Sequence, residues 1–240
     1  MLDDGGTGQL ARSLARLLSA TIPRCRVEGV SRHQLLQDPR VPCTRRNRCS
    51  CVVVGVEGAM IAAAADVARA RVREGSVTGS DPGLCVAEEE QIVPALLGFA
   101  RRAKRELVDQ ATALGLARDA GVLLEPLGGT GDGVIGALAA VGLRRIGGDG
   151  WLTLWAGVRE LEGTLSVAQL LAAGLDAVED AERGQRLGMT ALVETEARVR
   201  PALRDGQKVL LVRRATTGEW RAVKPEGWGL SRRPVGRPDG

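Results

Sequence analysis

Residues 121–146, GVLLEPLGGTGDGVIGALAAVGLRRI, contain the pattern that predicts the fold. The apolar run at 122–124 is typical of a short buried strand, and the glycine-rich stretch 126–133 predicts a loop. A helix is predicted over 134–145, because apolar residues recur there at helical spacing. A strand that leads through a glycine loop into a helix is the repeating unit of an α/β protein.

The tetrapeptide Gly-Gly-Thr-Gly occurs in that loop at 128–131 and again at 5–8. The second copy leads into a predicted helix over 9–19, which Thr7 is expected to cap. A helix amino end offers unpaired N–H groups and a partial positive charge, and glycine lets the backbone approach a ligand closely. Both loops are therefore candidate phosphate sites, with plain tight turns as the alternative.

The remaining pattern predicts a mixed α/β (α+β) fold of two lobes, in which helices flank mixed sheets and the carboxyl-terminal segment is rich in strands. An amino-terminal lobe is expected over 1–120, a second lobe ending in a β-meander over 121–230, and a disordered tail over 231–240. The expected elements are a loop at 23–47, strands at 51–56, 84–87, 151–155, 191–199, 207–212 and 219–223, and helices at 59–73, 92–120 (interrupted near Gly115) and 166–173.

Composition excludes several protein classes. With 240 residues, 44% hydrophobic and 26% charged, the chain is not collagen-like, largely disordered or a disulfide scaffold. Its longest apolar stretch, 59–65, is far shorter than the roughly 20 residues of a membrane span. Acidic residues follow Met1 where a signal peptide has basic ones, so a cytoplasmic protein is expected. A net charge of +4 is too small to indicate a nucleic-acid partner, and one Phe with no Tyr disfavours an aromatic base-stacking sheet.

Five cysteines are an odd number, so disulfides are not expected. Cys43, Cys49 and Cys51 have C-x5-C-x-C spacing without a second pair downstream. Because zinc sites typically combine two paired knuckles, no zinc is expected and buried thiols are favoured.

Standard nucleotide and catalytic motifs fit poorly. Residues 131–136 match G-x-G-x-x-G, but the next strand lacks the acidic residue that binds a ribose hydroxyl. A P-loop needs Lys-Ser or Lys-Thr after its last glycine, and Gly133 is followed by valine. Asp132 is expected to cap the helix or to hold magnesium. The only histidine, His33, has no evident triad or metal partners, and the arginine-rich loop around it either faces an anionic ligand or is simply solvated.

Three segments in order, 3–12 (DDGGTGQLAR), 39–47 (PRVPCTRRN) and 131–142 (GDGVIGALAAVG), resemble the archaeal tRNA-Ile agmatidine synthetase family and its smaller bacterial relatives. The resemblance covers roughly the first 145 residues. Members of that family consume ATP, activate a cytidine in the tRNA anticodon by phosphorylation, and let agmatine displace the phosphate. The resemblance therefore implies that 1–120 is a kinase-like lobe with ATP and magnesium as cofactors.

The resemblance also implies a set of site residues. Asp3, Asp4 and Thr7 would be catalytic, and the two aspartates would hold magnesium. Nucleotide-binding positions would be Gly5, Gly6, Gly8, Arg45, Asn47, Gly129, Gly131 and Gly133. The chain departs from the family where Arg46 replaces a glycine and where an acidic strand end, Asp-Asp-Thr-Asp, would precede the first loop. A native start upstream, with that strand, is the expectation that follows.

The resulting functional hypothesis is an ATP-dependent phosphoryl-transfer or ligase-type enzyme. Its acceptor would be a small-molecule amine or a tRNA nucleotide, and the lack of a zinc ribbon favours a small molecule. The alternative is a non-catalytic ligand- or nucleotide-binding protein derived from the same family. A third hypothesis is an RNA-binding accessory protein, whose affinity would fall steeply with salt.

Overall fold

A computed structural model of the chain describes residues 6–43, 46–155, 161–195 and 199–225. The predicted tail over 231–240 lies outside these ranges. The elements are α1 (Thr7–Thr21), β1 (Arg26–Gln34), β2 (Arg48–Gly55), α2 (Ile61–Gly75), β3 (Gly83–Val86), α3 (Pro94–Arg102), α4 (Gln110–Asp119), β4 (Leu123–Pro126), α5 (Gly133–Ile146), β5 (Trp151–Trp155), β6 (Gly163–Ser166), α6 (Val167–Ala172), β7 (Ala177–Asp180), β8 (Leu192–Thr195), β9 (Ala202–Arg204), β10 (Gln207–Arg214) and β11 (Trp220–Ala222).

The predicted α/β class with a strand-rich carboxyl-terminal part is confirmed. The described strands form a large mixed sheet in the order β2-β1-β5-β9-β10-β11-β8-β6, with β7 added in parallel to β10. A smaller antiparallel sheet pairs β3 with β4. Within the described ranges, no helix is both long and apolar enough to cross a membrane.

Helices α1 and α2 cover one face of β2 and β3. The apolar stripe of α1 buries Leu14 and Leu18 together with Ala64 and Ala68 of α2 and Leu84 of β3. Alternate valines of β2 complete this core. Burying such side chains contributes roughly 1.5–3 kcal/mol for each large one, which is why the amphipathic pattern decides where α1 packs.

Helices α3, α4 and α5 cover the opposite face. Their core contains Phe99, Leu96 and Leu138, each exposed by 2% or less. At the crossing of α3 and α5, Gly142 allows close approach, because an added Cβ would lie 2.6 Å from Ala100 Cβ. β2 and β3 are therefore both sandwiched between two helical layers.

Although β2 and β3 share this layer, no backbone ladder joins them in the described part of the chain. A cavity of about 1790 Å³ lies between them and is lined by both strands and by α1, α2 and α5. We call it the central cleft. It separates the small sheet from the edge of the large one.

Two sequence predictions are wrong in this half of the molecule. The region expected to be a loop over 23–47 contains the nine-residue strand β1, whose inner face carries buried Ser31 and His33 instead of apolar residues and so lacks a strand pattern. The predicted helix 92–120 is two helices, and its break falls at 103–109 rather than near Gly115.

Sequence reasoning found the positions of β8, β10 and β11 but missed β7, among others. β7 is buried along its whole length, although it contains Glu179 and Asp180. Glu179 accepts a hydrogen bond from Arg204 Nη1 at 2.8 Å, which explains how its charge is tolerated. The two charges conceal the apolar run by which a buried strand is normally identified.

Candidate functional site

No side chain among the described residues caps the amino end of α1. Gly6 occupies the N-cap position in an extended conformation, and its carbonyl accepts the Gln9 amide at 2.8 Å. The prediction that Thr7 caps this helix is wrong, because Thr7 is the first helical residue. Gly6 and Thr7 line the central cleft. A helix amino end without a capping side chain presents N–H groups and positive partial charge to a ligand.

Arg32 of β1 lies directly against this first turn. A Cβ added to Gly8 would be 2.5 Å from Arg32 Nη1, so only glycine leaves room for the guanidinium. Burial lowers the pKa of Arg32, and the neighbouring positive charges of Arg48 and Arg200 lower it further. A partly buried cation close to other cations is stabilised when an anion binds beside it. Sequence reasoning placed Arg32 in a loop that either faces an anionic ligand or is solvated, and did not single out Arg32 as a site residue.

The second glycine loop is organised by a carboxylate. Asp81 accepts hydrogen bonds from Thr130 Oγ1 and, at 2.9 Å, from the Gly131 amide. Burial alone would raise the pKa of Asp81, but these bonds and those from the Gly133 and Asp132 amides outweigh it and lower the pKa. The Asp81 side chain therefore takes the place that an external anion would occupy before α5.

Glycine is required in this loop for backbone reasons. Gly129 and Gly131 have φ of +67° and +92°, a region that other residues rarely adopt. A Cβ on Gly133 would lie 2.1 Å from the Asp81 carbonyl oxygen. Asp132 occupies the N-cap position of α5, but its side chain makes no capping hydrogen bond, so the capping role expected for it is wrong.

Residues of both glycine loops line the central cleft. Gly75, which ends α2, lies against the first turn of α1, since an added Cβ would be 2.4 Å from Leu10 Cδ1. Residues 76–82 lead from that point to β3. A Cβ added to Gly83, the first residue of β3, would lie 2.4 Å from the carbonyl carbon of Gly133. The starts of β3 and α5 therefore meet, while the start of α1 lies beside the end of α2, and residues of both loops line one cavity.

Asn47, a predicted nucleotide-binding residue, holds the adjacent loop in place. Its Nδ2 donates to the Leu36 carbonyl at 2.9 Å, and its own carbonyl accepts the Leu35 amide at 2.9 Å and Gln34 Nε2 at 2.7 Å. Asn47 also lines the cleft, as do Arg46 and Arg48. Asp3, Asp4, Gly5 and Arg45, the other predicted site residues of this region, lie outside the described residues.

A buried polar network lies on the other face of β1. Ser31 Oγ is 2.8 Å from His33 Nε2, and His33 Nδ1 is 3.0 Å from Asp149 Oδ2. Lys104 Nζ is 2.6 Å from Asp149 Oδ1 and donates to the Gln34 carbonyl at 2.6 Å. Sequence reasoning found no Ser-His-Asp arrangement, and the structure corrects this. Because Ser31 and His33 are completely buried, the network fixes β1 to the turn before β5 and is closed to substrate.

The protonation state of this network follows from its partners. Burial lowers the pKa of His33, although the hydrogen bond to Asp149 opposes the shift. Burial alone would raise the pKa of Asp149, but the His33 hydrogen bond and the Lys104 charge lower it overall. A neutral imidazole that donates from Nδ1 to the Asp149 carboxylate and accepts from the Ser31 hydroxyl satisfies all three groups.

Three cysteines lie where the α3–α5 core meets the sheets, namely Cys49 and Cys51 of β2 and Cys85 of β3. Burial raises the pKa of Cys51 to about 11 and that of Cys85 to about 12, so both are neutral thiols. Neutral thiols are poor nucleophiles and metal ligands. In the described part of the chain, no three His, Cys, Asp or Glu side chains are grouped to hold a metal ion.

No protein-family model matches the chain, and no curated protein matches it. Among solved structures, apo TiaS, a tRNA agmatidine synthetase, is 25% identical with a TM-score of 0.48 and covers 58% of this chain and 34% of its own length. A tRNA fluorescent labeling enzyme is 25% identical with a TM-score of 0.49, covering 58% of this chain and 33% of its own. The complex of TiaS with tRNA and ATP is 25% identical with a TM-score of 0.48, and the match covers 57% of this chain and 32% of the TiaS chain.

The chain resembles part of this family. The resemblance is the one that the three sequence motifs predict. The chain spans about one third of the length of these structures.

Proposed function

We propose that the chain binds ATP in the central cleft at the start of α1, and that it transfers a phosphoryl group there. The observation that carries the proposal is the start of α1, which no described side chain caps, beside the partly buried Arg32. A helix amino end and a desolvated guanidinium are the groups that bind phosphate oxygens in many proteins. The motif resemblance to agmatidine synthetases implies the same ligand.

The chemistry would depend on charge stabilisation rather than on a covalent intermediate. A transferring phosphoryl group spreads negative charge over its oxygens, and positioned donors stabilise that charge in a site that excludes water. The α1 amides and the arginines near them supply such donors. Burial raises the pKa of the Cys51 and Cys85 thiols, so neither is suited to act as a nucleophile.

The described residues alone do not fit a magnesium ion. Asp81 is committed to the second glycine loop, and no group of three candidate ligands exists in the described ranges. The proposal therefore assigns magnesium to Asp3 and Asp4, as the resemblance implies. When bound, the ion would neutralise charge on the phosphates of ATP.

The acceptor is proposed to be a small-molecule amine, or else a tRNA nucleotide. In the family, agmatine displaces the phosphate from an activated cytidine. The chain carries a net charge of only +4, and the aromatic rings of Phe99, Trp151 and Trp155 are buried and so are not open to stacking bases. These features favour the small molecule. A localisation in the cytoplasm belongs to the same proposal.

The test is ATP turnover by the full chain with magnesium, in the presence of agmatine and related amines and with or without tRNA. We expect ATP consumption that depends on magnesium and falls to background in an Asp3→Asn/Asp4→Asn double variant. The same variant should still bind inorganic phosphate, because the α1 amides and Arg32 are intact. Binding of ATP without any hydrolysis or transfer would contradict the enzyme and favour a nucleotide-binding protein. Affinity for tRNA with a steep salt dependence would instead indicate RNA as the ligand.

A further inference from the structure

Three polar side chains form a row across adjacent strands beneath α1. Ser50 of β2 is directly opposite Arg32 of β1, and Arg32 is directly opposite Trp151 of β5. Directly opposed residues project from the same face of a sheet. Because Arg32 contacts the first turn of α1 at Gly8, the whole row lies on the face that α1 covers.

Each member of the row has a buried polar atom without a hydrogen-bond partner among the described residues: Ser50 Oγ, Arg32 Nε and Trp151 Nε1. Trp151 is only 4% exposed, so solvent does not satisfy its indole N–H. Native structures pair the great majority of buried polar atoms, because an unpaired one loses the hydrogen bonds that it makes with water in the unfolded chain. Three such atoms in one register row therefore indicate a missing ligand.

The chemistry of the row identifies the ligand as an oxyanion. An indole N–H, a guanidinium N–H and a hydroxyl are all able to donate. Arg48 stacks over the Trp151 ring at 5.2 Å and adds positive charge, as does Arg200 near Arg32. The start of α1 contributes a further partial positive charge. Ser50 lines the central cleft, as do Gly6 and Thr7 at the start of α1, so the cleft reaches the Ser50 end of the row.

We propose that Ser50, Arg32 and Trp151 form a phosphate subsite beneath the first turn of α1. The inference deepens the proposed function, since it names the side chains that would receive a phosphate of the nucleotide. It is nevertheless tested with inorganic phosphate alone, without ATP and without turnover. The two proposals can therefore fail separately.

The chain provides a matched control in Trp155. Like Trp151, Trp155 lies on β5, is buried, and has an indole N–H without a partner in the described ranges. It stands opposite Gly29 and packs with Leu152 and Val167 in a different core, away from the row. Trp151→Phe and Trp155→Phe each remove one buried indole N–H and keep an aromatic ring.

The experiment titrates inorganic phosphate into the ¹⁵N-labelled full chain, with sodium chloride at matched ionic strength as the blank. We expect the Trp151 indole N–H signal, assigned by its loss in Trp151→Phe, to move while the Trp155 signal stays in place. Calorimetry should give a phosphate affinity at least about tenfold weaker in Trp151→Phe and in Ser50→Ala, the effect of losing one hydrogen bond to a charged group. Trp155→Phe should bind like the wild type.

Phosphate binding that is unchanged in both row variants, or equally weakened in Trp155→Phe, would overturn the subsite. If Trp151→Phe and Ser50→Ala bind phosphate like the wild type while the wild-type chain consumes ATP, the proposed function stands and the subsite does not. If the row binds phosphate as expected while no ATP is consumed, the subsite stands and the enzyme does not. A chain that binds no phosphate at all also overturns the subsite, whatever the ATP assay gives.

Discussion

The Arg32 guanidinium packs against Gly8 so closely that a Cβ at that glycine would lie 2.5 Å from Arg32 Nη1. The contact couples the first turn of α1 to the middle of β1. It also places a fixed cation at an uncapped helix amino end.

Gly8→Ala is therefore expected to displace the guanidinium and weaken phosphate binding. The residue lies in a helix, where alanine is favoured over glycine, so the folded state should be retained. Calorimetry with inorganic phosphate should show at least about a tenfold loss, as expected when one charged hydrogen bond is removed. Gly115→Ala, in α4 with nothing within 4 Å of its added Cβ, is the control and should bind normally. Equal phosphate affinity in the two variants would show that Arg32 does not contact the anion.

The buried network predicts a pH dependence of stability. Because burial lowers the pKa of His33 below its ordinary 6.5, the unfolded chain binds a proton more readily than the folded one. The free energy of unfolding should therefore fall as the pH decreases through about 6.5 and should level off above it. His33 is the only histidine in the chain, which isolates the effect.

Urea unfolding at several pH values between about 8 and 5.5 measures this dependence. In His33→Gln the free energy of unfolding should be nearly independent of pH over that range, even though the variant is less stable overall. Asp149 does not contribute to the slope in this range. Its pKa is lowered from 3.8, so its contribution to stability is lost only in stronger acid. A slope that persists in His33→Gln would assign the titration to another group.

The crossing of α3 and α5 predicts opposite effects for glycines in helices. Gly98 in α3 has open space around its Cβ position, so Gly98→Ala should raise the free energy of unfolding by about 0.5–1 kcal/mol. Gly142→Ala in α5 should lower it by roughly 1–3 kcal/mol, because the new methyl group would meet Ala100 Cβ at 2.6 Å and the Leu96 carbonyl oxygen at 3.0 Å. Chemical denaturation checks both values, and a stabilising Gly142→Ala would mean that the helices separate without cost.

Asp81 is predicted to act as the built-in anion of the second glycine loop. Asp81→Ala should lower the free energy of unfolding by about 1 kcal/mol, the usual effect of losing a capping carboxylate. Phosphate should then stabilise the variant more than the wild type, because the amide of Gly131 is left free to bind it. Asp132→Ala is the matched control, since the Asp132 side chain makes no cap, and should change stability by less than about 0.5 kcal/mol. Equal stabilisation of Asp81→Ala and the wild type by phosphate would contradict the role of Asp81.

The sequence by itself determined those elements whose pattern is local. The helical spacing of apolar residues located α1 and α5, and the repeated Gly-Gly-Thr-Gly marked the loops before them. Turn residues and apolar runs located β5 and β10. These signals depend only on neighbours in the chain, which is why they could be found without coordinates.

Only the tertiary structure decided what the site contains. Ser50, Arg32 and Trp151 are far apart in the sequence and become neighbours through strand register. Asp81 reaches the second glycine loop across a gap of 49 residues to Thr130. His33 is joined to Asp149 across 116 residues. No local pattern encodes such pairs, because each depends on how strands align and helices pack, and the free energy of that packing is a property of the whole chain.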